Sequence, residues 1–196
     1  MATRQSLRCP RMIEMPERPA VRCRVVPFSV ERYHELRDLE IVPVKTELLN
    51  EVIVEKMTKS PLYTLLAHRL FDRLAIALPP GYQLRKEDPL TLATSEPEPN
   101  LAIVPGDSET YRDRHPTTAE LIVEIAMSSV EVDRAKADLY AGAGVSVHWL
   151  VLTDARAVEI YTRPQANGYG NLETRRLGQT LETWYGARIP LDALFA

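Results

Sequence analysis

The sequence predicts a mixed α/β domain with a central β-sheet flanked by helices, and three features point to it. Helical and strand-like segments follow one another in the order helix, hairpin, helix, strands, helix, strands. Residues 121–126, Leu-Ile-Val-Glu-Ile-Ala, are apolar apart from Glu124, as in a strand buried on both faces. Two longer segments carry helix punctuation, one opening at Ser60-Pro61 and the other closing at Gly142 and Gly144.

The elements can be justified in order. Before Val25 there is no periodicity. Arg4, Arg8, Arg11, Arg18, Arg22 and Arg24 face only Glu14 and Glu17, so residues 1–25 read as a flexible basic arm preceding a single domain over 26–196. The arm is either a phosphate-contacting tail or an unstructured extension, with Met12 and Met15 offering later starts. Ser29 caps a short helix whose apolar face is Val30, Tyr33 and Leu36. Two β-rich runs around Asn50-Glu51 form a tight hairpin, because Asn tolerates positive φ. Ser60 caps the next helix, with Pro61 in its first turn and a stripe of Leu62, Leu66, Leu70 and Leu74 beside Leu65. Pro79, Pro80 and Gly81 end it. Short strands are expected over 82–85, 90–93 and 100–104, then the 121–126 strand. A helix capped by Ser129 follows, then strands in "VSVHWLVL" and "AVEIYTR" and a weaker one over 172–177.

Composition narrows the function. A chain of 196 residues with 45% hydrophobic and 26% charged residues is a soluble globular domain. A net charge of −3 argues against a surface coated in positive charge for nucleic acid, though it permits a local basic groove. No run is long enough to span a membrane and no signal region is evident, so a cytoplasmic protein is expected. Cys9 and Cys23 are the only cysteines and read as free thiols, too few for a thiolate metal centre.

Glu124 is the strongest chemical signal. A buried, unpaired carboxylate costs several kcal/mol, so either that face of the strand meets solvent or the group has a cation, a hydrogen-bond partner or a proton. Glu47 lies beside Leu48 and Leu49 in the first strand, and Asn100 stands at the mouth of another after "EPEP". Lys136 shares a helix face with Asp133 and Tyr140 at spacings of three and four. Oxygen donors of this kind, converging with a lysine at one end of a sheet, suit magnesium or manganese.

The stretches "TELLNEVIVEKMTKSPL", "EPEPNLAIV", "LIVEIAMSSVEVDRAKADLYAGAG" and "HWLV" resemble the Uma-two family of the PD-(D/E)XK nuclease superfamily, over nearly everything from about Phe28 to Arg163. The resemblance implies a restriction-endonuclease-like fold and a metal-dependent DNA endonuclease, and a homodimer is expected separately. It makes Glu47 and Glu124 acidic metal ligands, with the Ile125 carbonyl completing the set. Lys136 becomes the catalytic lysine, carried on the helix after the acid. At position 100 the sequence departs, reading Pro99-Asn100 where the family reads Pro-Asp. Asn100 can still ligate through oxygen but brings no charge, and a unit-charge pair at about 4 Å is worth roughly 4 kcal/mol near a dielectric of 20. Weakened metal binding is therefore expected.

Other departures are smaller. Asn50-Glu51 replaces the family's Asp-Gly, which strains Glu51. His148, where the family has Tyr, reads as a half-buried packing residue, and His68 as a packing or surface one. Arg69, Arg73, Arg85 and Lys86 form either a phosphate-facing rim or solvated surface. Trp184 and Tyr185 either form an interface or close the core. Two alternatives to the nuclease remain: a catalytically degenerate fold that binds nucleic acid or protein, and a dimeric interaction module.

Overall fold

The computed structural model describes Val21 and residues 24–56, 58–127 and 130–196. Cys9, Cys23, nearly all of the basic segment and the Ser129 cap lie outside the described residues. Helix α1 (Val30–Asp38) starts where Ser29 Oγ accepts the Arg32 N–H, and it buries Val30 and Tyr33. Strands β1 (Thr46–Leu49) and β2 (Val52–Glu55) form the hairpin as a sheet of their own. Its turn residues, Asn50 and Glu51, have φ of 46° and 65°, the left-handed pair that a two-residue turn demands.

Helix α2 (Pro61–Ala75) opens with Ser60 Oγ accepting the Tyr63 N–H. Its buried face is Tyr63, Leu66, Ala67, Leu70 and Leu74, whereas Leu62 and Leu65 are 46% and 43% exposed. The expected stripe is corrected by helix geometry. Residues four apart advance by about 40°, so Leu62 and Leu74 end about 120° apart.

The main sheet runs β3-β4-β5-β6-β7-β8. Its strands are β3 (Tyr82–Lys86), β4 (Leu101–Pro105), β5 (Leu121–Ala126), β6 (Val147–Leu152), β7 (Ala157–Gln165) and β8 (Gly168–Arg176). Neighbours are antiparallel except β5 and β6, which are parallel and need the crossover that α3 (Val130–Gly142) supplies. The strand expected over 90–93 is absent. Leu90 and Leu92 are buried there, but their N–H groups go to the Pro97 and Ser95 carbonyls within the loop. Strand β4 begins at Leu101, so Asn100 stands just outside it. A short pair, β9 (Thr180–Glu182) and β10 (Arg188–Pro190), and the turn of helix α4 (Leu191–Leu194) complete the fold.

Strand alternation splits the core. Leu121, Val123 and Ile125 pack with Leu66 and Leu70 of α2, while Ile122 packs on the other face with Tyr140 of α3. Glu124, with the parity of Ile122, is thereby turned toward α3. Trp184 is half exposed, and the Tyr185 hydroxyl donates to the Leu74 carbonyl. Among the described residues, no helix is long and apolar enough to cross a membrane.

Candidate active site

Glu124 is only 2% exposed, so its face does not meet solvent. Its Oε1 accepts from the Tyr140 hydroxyl at 2.6 Å and from Lys136 Nζ at 3.2 Å. The same ammonium lies 2.8 Å from Glu47 Oε2, and Glu47 Oε1 accepts the Glu98 N–H at 3.1 Å. One buried lysine on α3 therefore joins an acid from the hairpin to an acid from the main sheet. The helical spacing read in the sequence does put Asp133, Lys136 and Tyr140 together, and all three are buried.

Register places Asn100. Leu101 lies opposite Val123 and Ala102 opposite Ile122, so one further step brings Asn100 beside Glu124. Its Oδ1 accepts the Ile125 N–H at 2.6 Å, and its Nδ2 donates to Tyr63 Oη at 2.8 Å. The Tyr63 hydroxyl in turn donates to Glu87 Oε1 at 2.8 Å, and Lys59 donates to Glu87 Oε2. A cavity of about 180 Å³ lies over these groups, with Glu47, Asn100, Glu124, Ile125 and Lys136 all in its wall. Lys56 and Lys59 also line it, each paired with a carboxylate, Glu98 and Glu87 respectively.

Electrostatics sharpen the cluster. Burial pushes the Glu47 and Glu124 carboxyls above their ordinary range in spite of Lys136. Burial also opposes the Lys136 charge, but the two carboxylates outweigh it and hold the ammonium above its usual value. Two acids share one ammonium, and the Asp133 charge adds to burial in raising Glu124. Burial raises the Tyr63 and Tyr140 phenols, and nearby carboxylates raise them further, so both stay protonated donors.

Sequence reasoning missed Tyr63, Glu87, Lys59 and Glu98. Tyr63 was hidden in the apolar face of α2, while the signal for Glu98 was the "EPEP" run itself. Arg69 donates to the Leu194 and Ala196 carbonyls, and Arg85 is buried with its guanidinium 5.4 Å from the Tyr111 ring centroid. Neither they nor Arg73 and Lys86 line the cavity. His148 is fully rather than half buried, because Tyr140, Tyr161 and Tyr169 surround its ring. His68 is exposed on α2.

The donor chemistry fits a hard divalent cation, since two acids that outnumber their shared ammonium line one cavity with an amide-bearing residue. It is a lean set: among the described residues, no group of three or more His, Cys, Asp and Glu could hold a metal.

The family model for Uma2, described as "Putative restriction endonuclease", matches residues 30–185. The fold matches the crystal structure of a "putative nuclease belonging to DUF820" from Anabaena variabilis with a TM-score of 0.68. That match has 15% sequence identity and covers 82% of this chain and 96% of the other. Among curated proteins, none matches the chain significantly.

Proposed function

The chain belongs to the Uma2 family and has a nuclease fold, and from this we propose that it is a metal-dependent endonuclease that hydrolyses DNA phosphodiesters at the cavity. The observation that carries this reading is the single Lys136 ammonium shared by Glu47 and Glu124 in the cavity wall. Glu47 and Glu124 would hold magnesium or manganese. The remaining lone pair of Asn100 Oδ1 and the Ile125 carbonyl would add neutral donors. Such an ion supplies polarisation of a phosphoryl oxygen and a more acidic attacking water. Lys136, kept charged by its two acids, donates to the oxygens on which negative charge grows. Tyr140 fixes the Glu124 carboxylate, and the Ile125 N–H fixes the Asn100 oxygen, so both donors are positioned before substrate arrives.

The test is nicking of supercoiled plasmid with magnesium or manganese. Cleavage is expected to need the ion and to fall at least about a hundredfold in Glu124→Gln. Folded protein that cleaves with neither ion would overturn the proposal. One observation favours a second reading, a degenerate fold that binds nucleic acid without cutting it: position 100 offers a neutral amide where an acid would add charge. Salt-dependent duplex binding with no cleavage would select that reading.

A further inference from the structure

We infer that Tyr63, its phenol proton committed to Glu87, is a positioning residue that decides which side chain position 100 can present to the cavity. The hydrogen-bond directions leave one arrangement. Lys59 can only donate, so it takes an oxygen of Glu87. The other Glu87 oxygen takes the Tyr63 proton, which leaves the phenol oxygen as an acceptor toward position 100. At the far end, the Ile125 N–H demands an acceptor. Position 100 must therefore offer one acceptor and one donor, and an amide supplies both. An aspartate would offer two acceptors, one of them competing with Glu87 for the single phenol proton. Tyr63 is 8% exposed, while Asn100 and Glu87 are half-buried in the cavity wall, so the conflict falls on the phenol oxygen.

The backbone supplies a second, independent observation. Glu87 has φ of 56°, a left-handed conformation that a non-glycine residue adopts reluctantly, and its N–H donates to the Asn100 carbonyl at 3.2 Å. Residues 87 and 100 are thus joined both through the main chain and through Tyr63. The amide at position 100 is matched to its surroundings, and an acid introduced there alone will not build the site. That functional consequence rests on the proposed nuclease reading; the proton arrangement does not.

The experiment is a double-mutant cycle on the full chain, comparing the parent, Asn100→Asp, Glu87→Gln and the double variant. Urea unfolding without metal is read first. Each single change is expected to lower the midpoint, and the double change to recover at least about half of the summed loss. In the double variant the amide introduced at position 87 keeps its oxygen on Lys59 and donates an N–H to Tyr63. The phenol proton is then free for the carboxylate introduced at position 100. Adding Tyr63→Phe should abolish the recovery. Additive effects, including no loss in either single variant, overturn the inference.

Calorimetric titration of the same proteins with manganese is the second readout. The double variant should bind about tenfold more tightly than the parent, and Asn100→Asp alone less than about threefold. Equal gains in the single and double variants overturn the inference. Recovery in urea with no manganese binding by any variant upholds the Tyr63 arrangement and defeats the metal-dependent reading.

Discussion

His148 is buried, neither ring nitrogen having a hydrogen-bond partner among the described residues, and it stacks 5.2 Å from Tyr161 and edge-on to Tyr140. Burial first, and the Lys136 charge second, push its pKa down to about 3, so the ring is neutral in the fold. An unfolded histidine titrates near about 6.5. Between those values the unfolded chain binds a proton that the folded chain refuses. The stability contribution is therefore complete above pH 6.5 and is lost as pH falls toward 3. Urea unfolding is expected to show a loss of up to about 2 kcal/mol from this residue between pH 6.5 and 5. His148→Phe keeps the aromatic packing and should remove that part of the pH slope; identical slopes in the two proteins would refute the account. Single residues differ in how plainly the sequence announces them. Glu124 was legible because a charge inside an apolar strand must find a partner, and it found Lys136 and Tyr140. Tyr63 was not, because a tyrosine on an apolar helix face reads as core, and its partner Glu87 comes from a different segment.

Local chemistry sets the elements, and the sequence shows them to the extent that the chemistry is local. The Ser29 and Ser60 caps and the Asn50-Glu51 turn depend on neighbours three residues away or fewer, and each forms where it was read. Strands need partners from afar. Residues 90–93 have strand-like composition but no ladder, whereas β9 and β10 pair despite weak patterning. "EPEP" works in the same nonlocal way: Glu96 bonds His34 of α1, and Glu98 bonds both Arg37 and Lys56. These contacts hold α1 and the hairpin beside the main sheet, which is how Glu47 reaches the cavity. Helix α2 allows a sharp check of the corrected stripe. Leu70 is fully buried and Leu62 nearly half exposed. Leu70→Ala should cost about 2–5 kcal/mol of unfolding free energy, and Leu62→Ala about 0.5 kcal/mol or less. Equal losses would restore the original stripe.

Across the whole molecule, the site is a junction. Glu47 arrives on a two-stranded sheet, Glu124 on the six-stranded sheet, and Lys136 on the crossover between its parallel strands. Convergence from three elements explains why the residue types suggested a cluster, while the role of each member came only from resemblance. It also concentrates charge. The cavity wall carries six acids, Glu47, Glu55, Glu87, Glu98, Glu124 and Asp133, against the three lysines Lys56, Lys59 and Lys136. All three lysines already face carboxylates, and the chain as a whole has a net charge of −3. A phosphodiester entering this cavity without a cation meets net repulsion, so cation and DNA should bind with positive coupling. Fluorescence anisotropy with a labelled duplex, in EDTA and in calcium at matched ionic strength, measures that coupling. Affinity should rise about tenfold or more with calcium, a hard cation of the same oxygen-seeking kind. Glu124→Gln should remove the increment while leaving the binding in EDTA equal or tighter, since it lowers the negative charge of the wall. Equal affinity in EDTA and calcium would mean that DNA is held elsewhere on the surface, and that the acid-lysine cluster is not where its phosphates go.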